Sequence, residues 1–351
     1  MESVADIATT IVAQFQKPTL AFLIGGMVLA ALGSKLVVPE PVYKFVVILL
    51  LLTVGMGAGI SMREAELSEL LAPALVAIIL GAAIAAIGGF VLSRRPGIKP
   101  ADGMATAGLF GAVSASTLAA GMAILDSEGI AYEGFIAALY PFMDVAALVT
   151  AIVLARLSLE RQAQTVVYSD GTAAMSGGGS TLQSPNNMNV RAILVDTVRS
   201  PAISALLFGL LVGVFARPDG IYETFYQDLF RGLLSILMLT MGMEGWARLS
   251  ELRKVAFTYV LYGIAAPLLH GLLGLGAGLI LHQLTGFSMG GVVLLAVMAG
   301  SSSDVSGPPT MRGALPEANP SAYVGTSTGL GTPVAILAIP LWIALAQHFM
   351  T

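Results

Sequence analysis

Cysteine is absent from this chain of 351 residues, and histidine occurs only three times. The missing cysteine excludes disulfides and thiol chemistry. The wide spacing of His270, His282 and His348 argues against a zinc or haem site. Charged residues are also scarce: they form 11% of the sequence, against about 25% in a soluble domain. Hydrophobic residues form 56%, which indicates a protein that lies largely within a membrane.

Long apolar runs recur along the whole chain. Runs of about 20 residues are what membrane-spanning helices require, and they are too long for barrel strands. The sequence contains no nucleophile–base pair, metal cluster or phosphate loop, so we expect no enzyme activity. We predict ten spans, at 18–37, 42–60, 70–92, 103–124, 134–155, 201–216, 227–245, 255–281, 287–309 and 321–345.

Lysine and arginine are distributed unevenly between the two ends of the predicted spans. With the N-terminus outside, 13 of the 17 basic residues fall on the cytoplasmic side. By the positive-inside rule we expect a multi-pass protein of the plasma (inner) membrane with both termini outside. The polar segment 157–199, rich in Gly and Ser, is then cytoplasmic, either as a flexible tether or as a docking surface.

The two halves of the chain carry matching hydroxyl-rich strings inside apolar segments. GAVSAST covers 111–117 and GSSSDVSGPP covers 300–309, and each precedes a similar apolar run by 34 positions. Five spans is an odd number, so the second copy enters the membrane from the opposite side. We predict an all-α polytopic membrane protein: two inverted five-helix repeats, 1–156 and 200–351, joined by the linker 157–199, with broken fourth and ninth helices.

The two strings differ in chemistry, and neither contains a basic residue. Hydroxyls and the free N–H groups of a broken helix favour a small, weakly charged anion. Free carbonyls, hydroxyls and a carboxylate favour Na+ or H+. The alternative role of each serine is to hold neighbouring helices together.

Carboxylates inside a membrane are usually functional, and this chain has several candidates. Asp304, in the second string, is predicted to be a cation ligand. Asp144 has two interpretations, a cation ligand or the cap of a helix kink at Pro141. Glu244 is either functional or simply reaches water from the cytoplasmic end of its span. His270 is either a packed core residue or a proton relay.

Several long motifs resemble the cyanobacterial sodium-dependent bicarbonate transporters of the SbtA family. They are GLFGAVSAST, ALYPFMDVAALVTAIV, FRGLLSILMLTMGMEGWARLSELRKVA, GFSMGGVVLLAVMAGSSSDVSGPPTMR and NPSAYVGTSTGLGTP. The resemblance covers nearly the whole chain except the central linker. It implies ten helices in two inverted repeats, a homotrimer, and Na+-coupled bicarbonate uptake for a CO2-concentrating mechanism. It also implies a cytoplasmic partner, the PII-like signalling protein SbtB.

Together, the residues and the resemblance predict a site between the two strings. The expected bicarbonate ligands are Ser114, Ala115, Ser116, Thr117, Ser301 and Ser302. The expected Na+ ligands are Ser303, Asp304, Ser306 and Asp144, with Na+ as coupling ion and no organic cofactor. At Ala115 the family pattern commonly has glycine, so one extra methyl lies near the substrate. The alternatives are a Na+ symporter for another small anion, such as a short carboxylate, and a passive anion channel.

Overall fold

The computed structural model describes residues 18–63, 67–169, 201–251 and 257–350, together with Val195 and Arg199. In these residues the chain is built from helices and contains no strand. This agrees with the predicted all-α class of membrane protein.

Among the described residues, the first half of the chain contains six α-helices. They are α1 (Pro18–Ala31), α2 (Glu40–Met62), α3 (Leu67–Ser93), α4 (Pro100–Gly111), α5 (Ala115–Glu128) and, after a 3-10 turn at Ile136–Ala138, α6 (Leu139–Ser169). The last of these continues past Arg156 into the predicted linker. Most of the remaining linker, 170–194, lies outside the described residues.

The described residues of the second half contain two π-helical segments, a single helical turn at Asp219–Ile221 and eight longer helices. They are α7 (Pro201–Phe215), α8 (Gln227–Glu251), α9 (Phe257–Thr285), α10 (Met289–Gly300), α11 (Gly307–Ala314), α12 (Pro320–Val324), α13 (Thr332–Leu337) and α14 (Ile339–Met350). A π-helical turn, Tyr222–Tyr226, leads into α8, and a second one, Gly325–Gly331, joins α12 to α13.

Each predicted span overlaps one described helix or a short series of described helices. Of the described helices, five are long and apolar enough to cross a membrane, or six if α12–α13 and α14, bent by 40°, count as one span. Three more apolar helices are shorter, at Pro18–Ala31, Ile203–Phe215 and Met289–Gly300. The total of ten spans stays a prediction.

The helices that carry the two hydroxyl strings lie at the centre of the bundle. The most apolar part of the stretch Pro100–Glu128 is 89% buried, against 44% for α3 and α9. The outward faces of α3 and α9 are apolar, with exposed side chains at Leu71, Leu75, Ile79, Leu269, Leu273 and Ile280. Such a surface is stable against lipid tails, which are as apolar as leucine.

Glycines allow two pairs of helices to approach with their backbones nearly in contact. A Cβ at Gly26 of α1 would overlap the Leu239 carbonyl of α8, and one at Gly242 of α8 would overlap the Leu23 carbonyl of α1. In the same reciprocal way, Gly55 of α2 lies against the backbone of α7, and Gly209 of α7 lies against the backbone of α2. Close approach through small residues is the usual basis of helix association in membranes.

We expect Gly26→Ala to lower the melting temperature of the purified protein by several degrees, because its methyl group would force α1 and α8 apart. Gly25→Ala is the matched control, since a Cβ at Gly25 meets nothing within 4 Å and alanine favours a helix over glycine. The measurement is thermal unfolding in one detergent. Equal melting temperatures for the two variants would contradict the close contact.

Polar ties between the halves lie at both ends of the bundle. At one end the Asn319 backbone N–H donates to the Asp102 carboxylate at 2.7 Å. At the other, the Ser288 N–H and hydroxyl donate to the Glu133 carboxylate at 2.6 and 2.9 Å. The partly buried Arg63–Asp219 ion pair also joins the two halves, and the guanidinium holds the pKa of Asp219 below its usual value. These contacts fix the broken helices of one half against the other.

Candidate functional site

The first break separates α4 from α5 at Ala112–Ser114. Here Ala112 and Ser114 are extended, and the Ser114 hydroxyl caps α5 by accepting from the Thr117 N–H at 3.1 Å. The N–H groups of Ala115 and Ser116, in the first turn, have no carbonyl of their own helix to bond. This helix start therefore presents backbone donors and a partial positive charge.

The second break separates α10 from α11 at Ser301–Ser306. Pro308 lies in the first turn of α11, where its missing N–H removes no helical hydrogen bond. The Ser303 hydroxyl accepts from the Gly307 N–H at 2.9 Å, which anchors the start of α11. The GSSSDVSGPP string is thus a helix end, an irregular segment and a new helix start.

The two breaks are hydrogen-bonded to each other. The Ser114 N–H donates to the Ser301 hydroxyl at 3.0 Å, and the Ser303 N–H donates to the Leu109 carbonyl at 2.8 Å. Across the same junction, the Ser116 hydroxyl donates to Asp304 Oδ2 at 2.6 Å. The structure therefore places the two hydroxyl strings side by side in the bundle centre.

Asp144 bridges both breaks from α6. It accepts from the Val113 N–H at 3.2 Å and from the Ser306 hydroxyl at 3.0 Å. Pro141 lies three residues before Asp144, close to where the 3-10 turn passes into α6. Both interpretations of Asp144, a cation ligand and the cap of a helix kink at Pro141, stay predictions.

The four residues predicted as Na+ ligands fall into two groups. Ser303 and Ser306 share a hydrogen bond of 2.9 Å and join Asp144 in one buried cluster of oxygens. Asp304 instead pairs with Ser116, and its Oδ1 is buried without a hydrogen-bond partner. Sequence reasoning did not anticipate this division, nor the Tyr140 hydroxyl, which lies 3.4 Å from that of Ser306.

The predicted substrate residues are all buried at the junction of the breaks. The hydroxyls of Ser114 and Ser116 are 2.8 Å apart, and the Thr117 hydroxyl has no hydrogen-bond partner. Ser302 differs from the others, because its hydroxyl faces Ser327 O at 3.2 Å and the Thr332 hydroxyl at 3.3 Å. Its contacts are thus with the segment between α12 and α13.

The π-helical segment Gly325–Gly331 packs directly against the second break. The Ser327 hydroxyl donates to the Ser303 carbonyl at 3.0 Å. Thr328 is 5% exposed, and its hydroxyl has no hydrogen-bond partner. In the sequence, this segment is marked by the string of hydroxyl residues in GTSTGLGTP. Single π-helical turns within helices are frequent at functional sites.

His270 lies beside the site and keeps one unpaired nitrogen. Its ring stands 6.4 Å from that of Phe110 and 6.2 Å from that of Tyr262, centroid to centroid. The residue is 8% exposed, and Nδ1 has no hydrogen-bond partner. These surroundings are those of a packed core histidine, except that Nδ1 lacks a hydrogen bond.

A cavity of about 870 Å³ reaches the site from one end of the bundle. Asp304, Pro308 and Thr328 form its inner wall, and Lys44 and Arg312 also line it. Polar atoms without partners therefore lie next to a space large enough for hydrated ions.

Interrupted helices that present backbone donors, hydroxyls and a carboxylate at the centre of a helical bundle are typical of secondary transporters. The sequence profile of the Na+-dependent bicarbonate transporter superfamily matches residues 18–347. The chain therefore belongs to this family, which confirms the resemblance seen in the motifs. A comparison with curated proteins gives no match.

Proposed function

We propose that this protein is a Na+-coupled symporter that imports bicarbonate, with both solutes bound between the two helix breaks. The observation that carries the proposal is the junction itself. A capped helix start with hydroxyls lies against a second break that supplies a carboxylate with an unpaired oxygen. Family membership supports Na+ as the coupling ion and bicarbonate as the solute.

The anion position is proposed at the first turn of α5, with Ser114, Ala115, Ser116 and Thr117 on one side and Ser301 and Ser302 on the other. Bicarbonate has a single charge and three oxygens, which suits neutral donors and a helix dipole. Neither string has an arginine fork for a phosphate or a polyanion. The pairing of Ser302 with the α12–α13 segment makes it the most peripheral member of this set.

The cation position is proposed near Asp304 and the cluster of Asp144, Ser303 and Ser306. Carboxylate, hydroxyl and carbonyl oxygens are the ligands that a hard cation prefers. Because Ser116 pairs with both Asp304 and Ser114, it connects the cation side of the junction to the anion side. This shared serine gives a route by which one solute strengthens the binding of the other.

The packing of the helices supports an inverted repeat. The residue pair Gly26–Gly242 joins α1 to α8, and the pair Gly55–Gly209 joins α2 to α7. Gly26 and Gly209 are equivalent when Pro18 is aligned with Pro201, so the second contact repeats the first with the halves exchanged. We infer that α1, α2, α7 and α8 form one unit, which moves against the broken helices.

The orientation and assembly are further parts of the proposal. The cavity opens where Lys44 and Arg312 lie, which is the cytoplasmic side by the positive-inside rule. We propose a plasma-membrane protein with both termini outside, captured with its site open to the cytoplasm. The homotrimer, the SbtB-like partner and the role in a CO2-concentrating mechanism rest on the family resemblance.

Uptake of labelled bicarbonate into proteoliposomes tests the function and its nearest rival. We expect the initial uptake rate to fall at least tenfold when external Na+ is replaced by K+. We expect excess acetate to leave the uptake rate unchanged. Strong inhibition by acetate would favour the symporter for short carboxylates. A rate independent of Na+ would favour a passive anion channel.

Thr117→Val tests the anion position without breaking an existing hydrogen bond, because the buried Thr117 hydroxyl has no partner. We expect the KM for bicarbonate to rise about tenfold or more, since a hydrogen bond to a charged group contributes roughly 1.5–3 kcal/mol and about 1.4 kcal/mol is a factor of ten. The melting temperature without bicarbonate should stay level or rise.

The matched control is Thr106→Val. In the unchanged protein the Thr106 hydroxyl donates to the Asp102 carbonyl at 2.8 Å. This variant should lose some stability and keep the KM of the unchanged protein. An unchanged KM in Thr117→Val would remove Thr117 from the anion position.

A further inference from the structure

The end of the bundle opposite the cavity is closed by apolar packing between the two proposed moving units. Ile124 and Leu125 of α5 are buried in one apolar cluster with Leu234 of α8 and Val54 of α2. In α5 these residues follow the first hydroxyl string by about two helical turns, toward the outer end. A transporter that serves both sides of the membrane has to open this layer to admit its solutes.

A close contact between the two units lies at the outer rim of this layer, at Gly134. This glycine belongs to the loop 129–135 that follows α5, which we call the outer loop. A Cβ at Gly134 would overlap both Oγ and Cβ of Ser61, in the last turn of α2. The backbone of Gly134 is not in the left-handed region, so alanine suits its conformation. The side chain that is excluded here is excluded by Ser61.

Hydrogen bonds on the N-terminal side of Gly134 fix the outer loop to the unit of the broken helices. Its neighbour Glu133 accepts from the N–H and the hydroxyl of Ser288, at the start of α10, at 2.6 and 2.9 Å. The Tyr132 hydroxyl donates to the Asp126 carboxylate of α5 at 2.9 Å. The outer loop therefore moves with α5 and α10.

Ser61 is fixed equally well to the other unit. Its hydroxyl donates to the Gly57 carbonyl within α2 at 3.0 Å, and α2 is packed backbone to backbone on α7 through Gly55 and Gly209. Rotation of the hydroxyl does not make room at Gly134, because the Cβ of Ser61 is in the way as well. An added methyl group therefore acts on the distance between the two units.

We propose that Gly134 and Ser61 form the outer gate of the transport path, at the end of the bundle opposite the cavity. The missing side chain of Gly134 lets the outer loop close against α2 and so stabilises the state that is open to the cytoplasm. The inference rests on the proposed function and deepens it, because it names the contact that has to break before solutes enter from outside.

Thiol accessibility in the purified full-length protein tests the gate. The chain contains no cysteine, so one introduced cysteine gives an unambiguous signal. Leu234→Cys reports on the buried apolar layer, and Ala30→Cys reports on the cavity, which Ala30 lines. The measurement is the rate of modification by a water-soluble maleimide, followed by mass spectrometry in one detergent.

We expect Gly134→Ala to raise the modification rate of Leu234→Cys about tenfold, because the methyl group overpacks the closed gate and shifts the population toward the outward-open state. The rate of Ala30→Cys should fall about threefold, since the cavity closes as the outer end opens. Partial unfolding would instead raise both rates.

Ser61→Gly, added to Gly134→Ala, is the rescue variant, since it removes the two atoms that the methyl group overlaps. Both modification rates should return to within about twofold of their original values. Gly220→Ala is the matched control for the glycine substitution. It lies between α7 and α8 at the same end, and a Cβ there meets nothing within 4 Å, so both rates should stay unchanged.

The outcomes distinguish the gate from the function on which it rests. An unchanged rate at Leu234→Cys, a rise at both cysteines, or a response that Ser61→Gly does not reverse overturns the gate. If this occurs while Na+ still drives bicarbonate uptake in the unchanged protein, the function stands without the gate. If the cysteines respond as expected and the unchanged protein shows no Na+-driven uptake, the gate stands and the proposed function fails.

Discussion

Asp304→Asn is expected to abolish the Na+ stimulation of bicarbonate uptake in proteoliposomes, with at least a tenfold fall in the Na+-dependent rate. Asparagine can keep the hydrogen bond from Ser116, because its side-chain oxygen accepts as the carboxylate does. What it loses is the charge, and in a water-poor site that charge contributes most of the attraction for Na+. The variant should therefore fold normally and fail specifically in coupling.

The control for Asp304→Asn is Glu40→Gln, assayed in the same liposome preparation. Both residues line the cavity, and Glu40 already has Lys44 as its partner at 2.7 Å. Uptake by Glu40→Gln should keep its Na+ dependence. Undiminished Na+-driven uptake in Asp304→Asn would remove Asp304 from the cation site and with it the proposed coupling mechanism.

Asp144→Asn and Asp144→Ala are expected to fail in different ways. Asparagine retains an acceptor for the Val113 N–H, and the Ser306 hydroxyl can reorient toward its amide, so the breaks stay connected. We expect Asp144→Asn to keep its melting temperature and to lose most Na+-driven uptake. Alanine leaves the Val113 N–H and the Ser306 hydroxyl short of a partner in a fully buried place, so we expect lost stability as well.

Thermal unfolding and uptake, measured on both Asp144 variants, separate the two roles of this carboxylate. If Asp144→Asn transports with unchanged Na+ dependence while Asp144→Ala unfolds at a lower temperature, Asp144 is only a structural bridge between the breaks. That result would leave Asp304 as the acidic ligand that carries the coupling.

The two breaks were predictable because composition and repetition both indicate them. Interrupted apolar segments at corresponding positions of two halves are a sequence sign of a transporter site, and the structure interrupts the helices at both strings. The predicted first span, 18–37, was too long, because the chain leaves α1 at Ala31 and turns at Gly33 with φ 76°. A glycine in this left-handed conformation commonly ends a helix.

The direction of side chains within the second break was not predictable from spacing. Ser302, Ser303 and Asp304 are consecutive, yet they bond to the α12–α13 segment, to Ser306 and to Ser116 respectively. An irregular segment has no fixed period, so neighbouring side chains can point to different partners. This is why one predicted set of Na+ ligands became two groups.

The π-helical form of the segment that packs against the second break was also not predictable. The sequence predicts a single span at 321–345, whereas the chain widens at Gly325–Gly331 and bends by 40° between α13 and α14. Pro333 and Pro340 lack the N–H that a regular helix needs at these positions. Their place in the sequence indicates an irregularity, and the hydroxyls of Thr326, Ser327, Thr328 and Thr332 indicate a polar lining for the cavity. Neither signal predicts a π-helical turn.

The central claim is that a Na+ gradient drives bicarbonate uphill through this chain. Its most direct test is the accumulation of labelled bicarbonate in proteoliposomes with equal bicarbonate on both sides at the start, under an inward Na+ gradient at fixed pH. The proposed mechanism predicts transient accumulation above the external concentration, abolished when the Na+ gradient is collapsed and absent in Asp304→Asn. Equilibration without accumulation, at the same rate with or without the gradient, would contradict it.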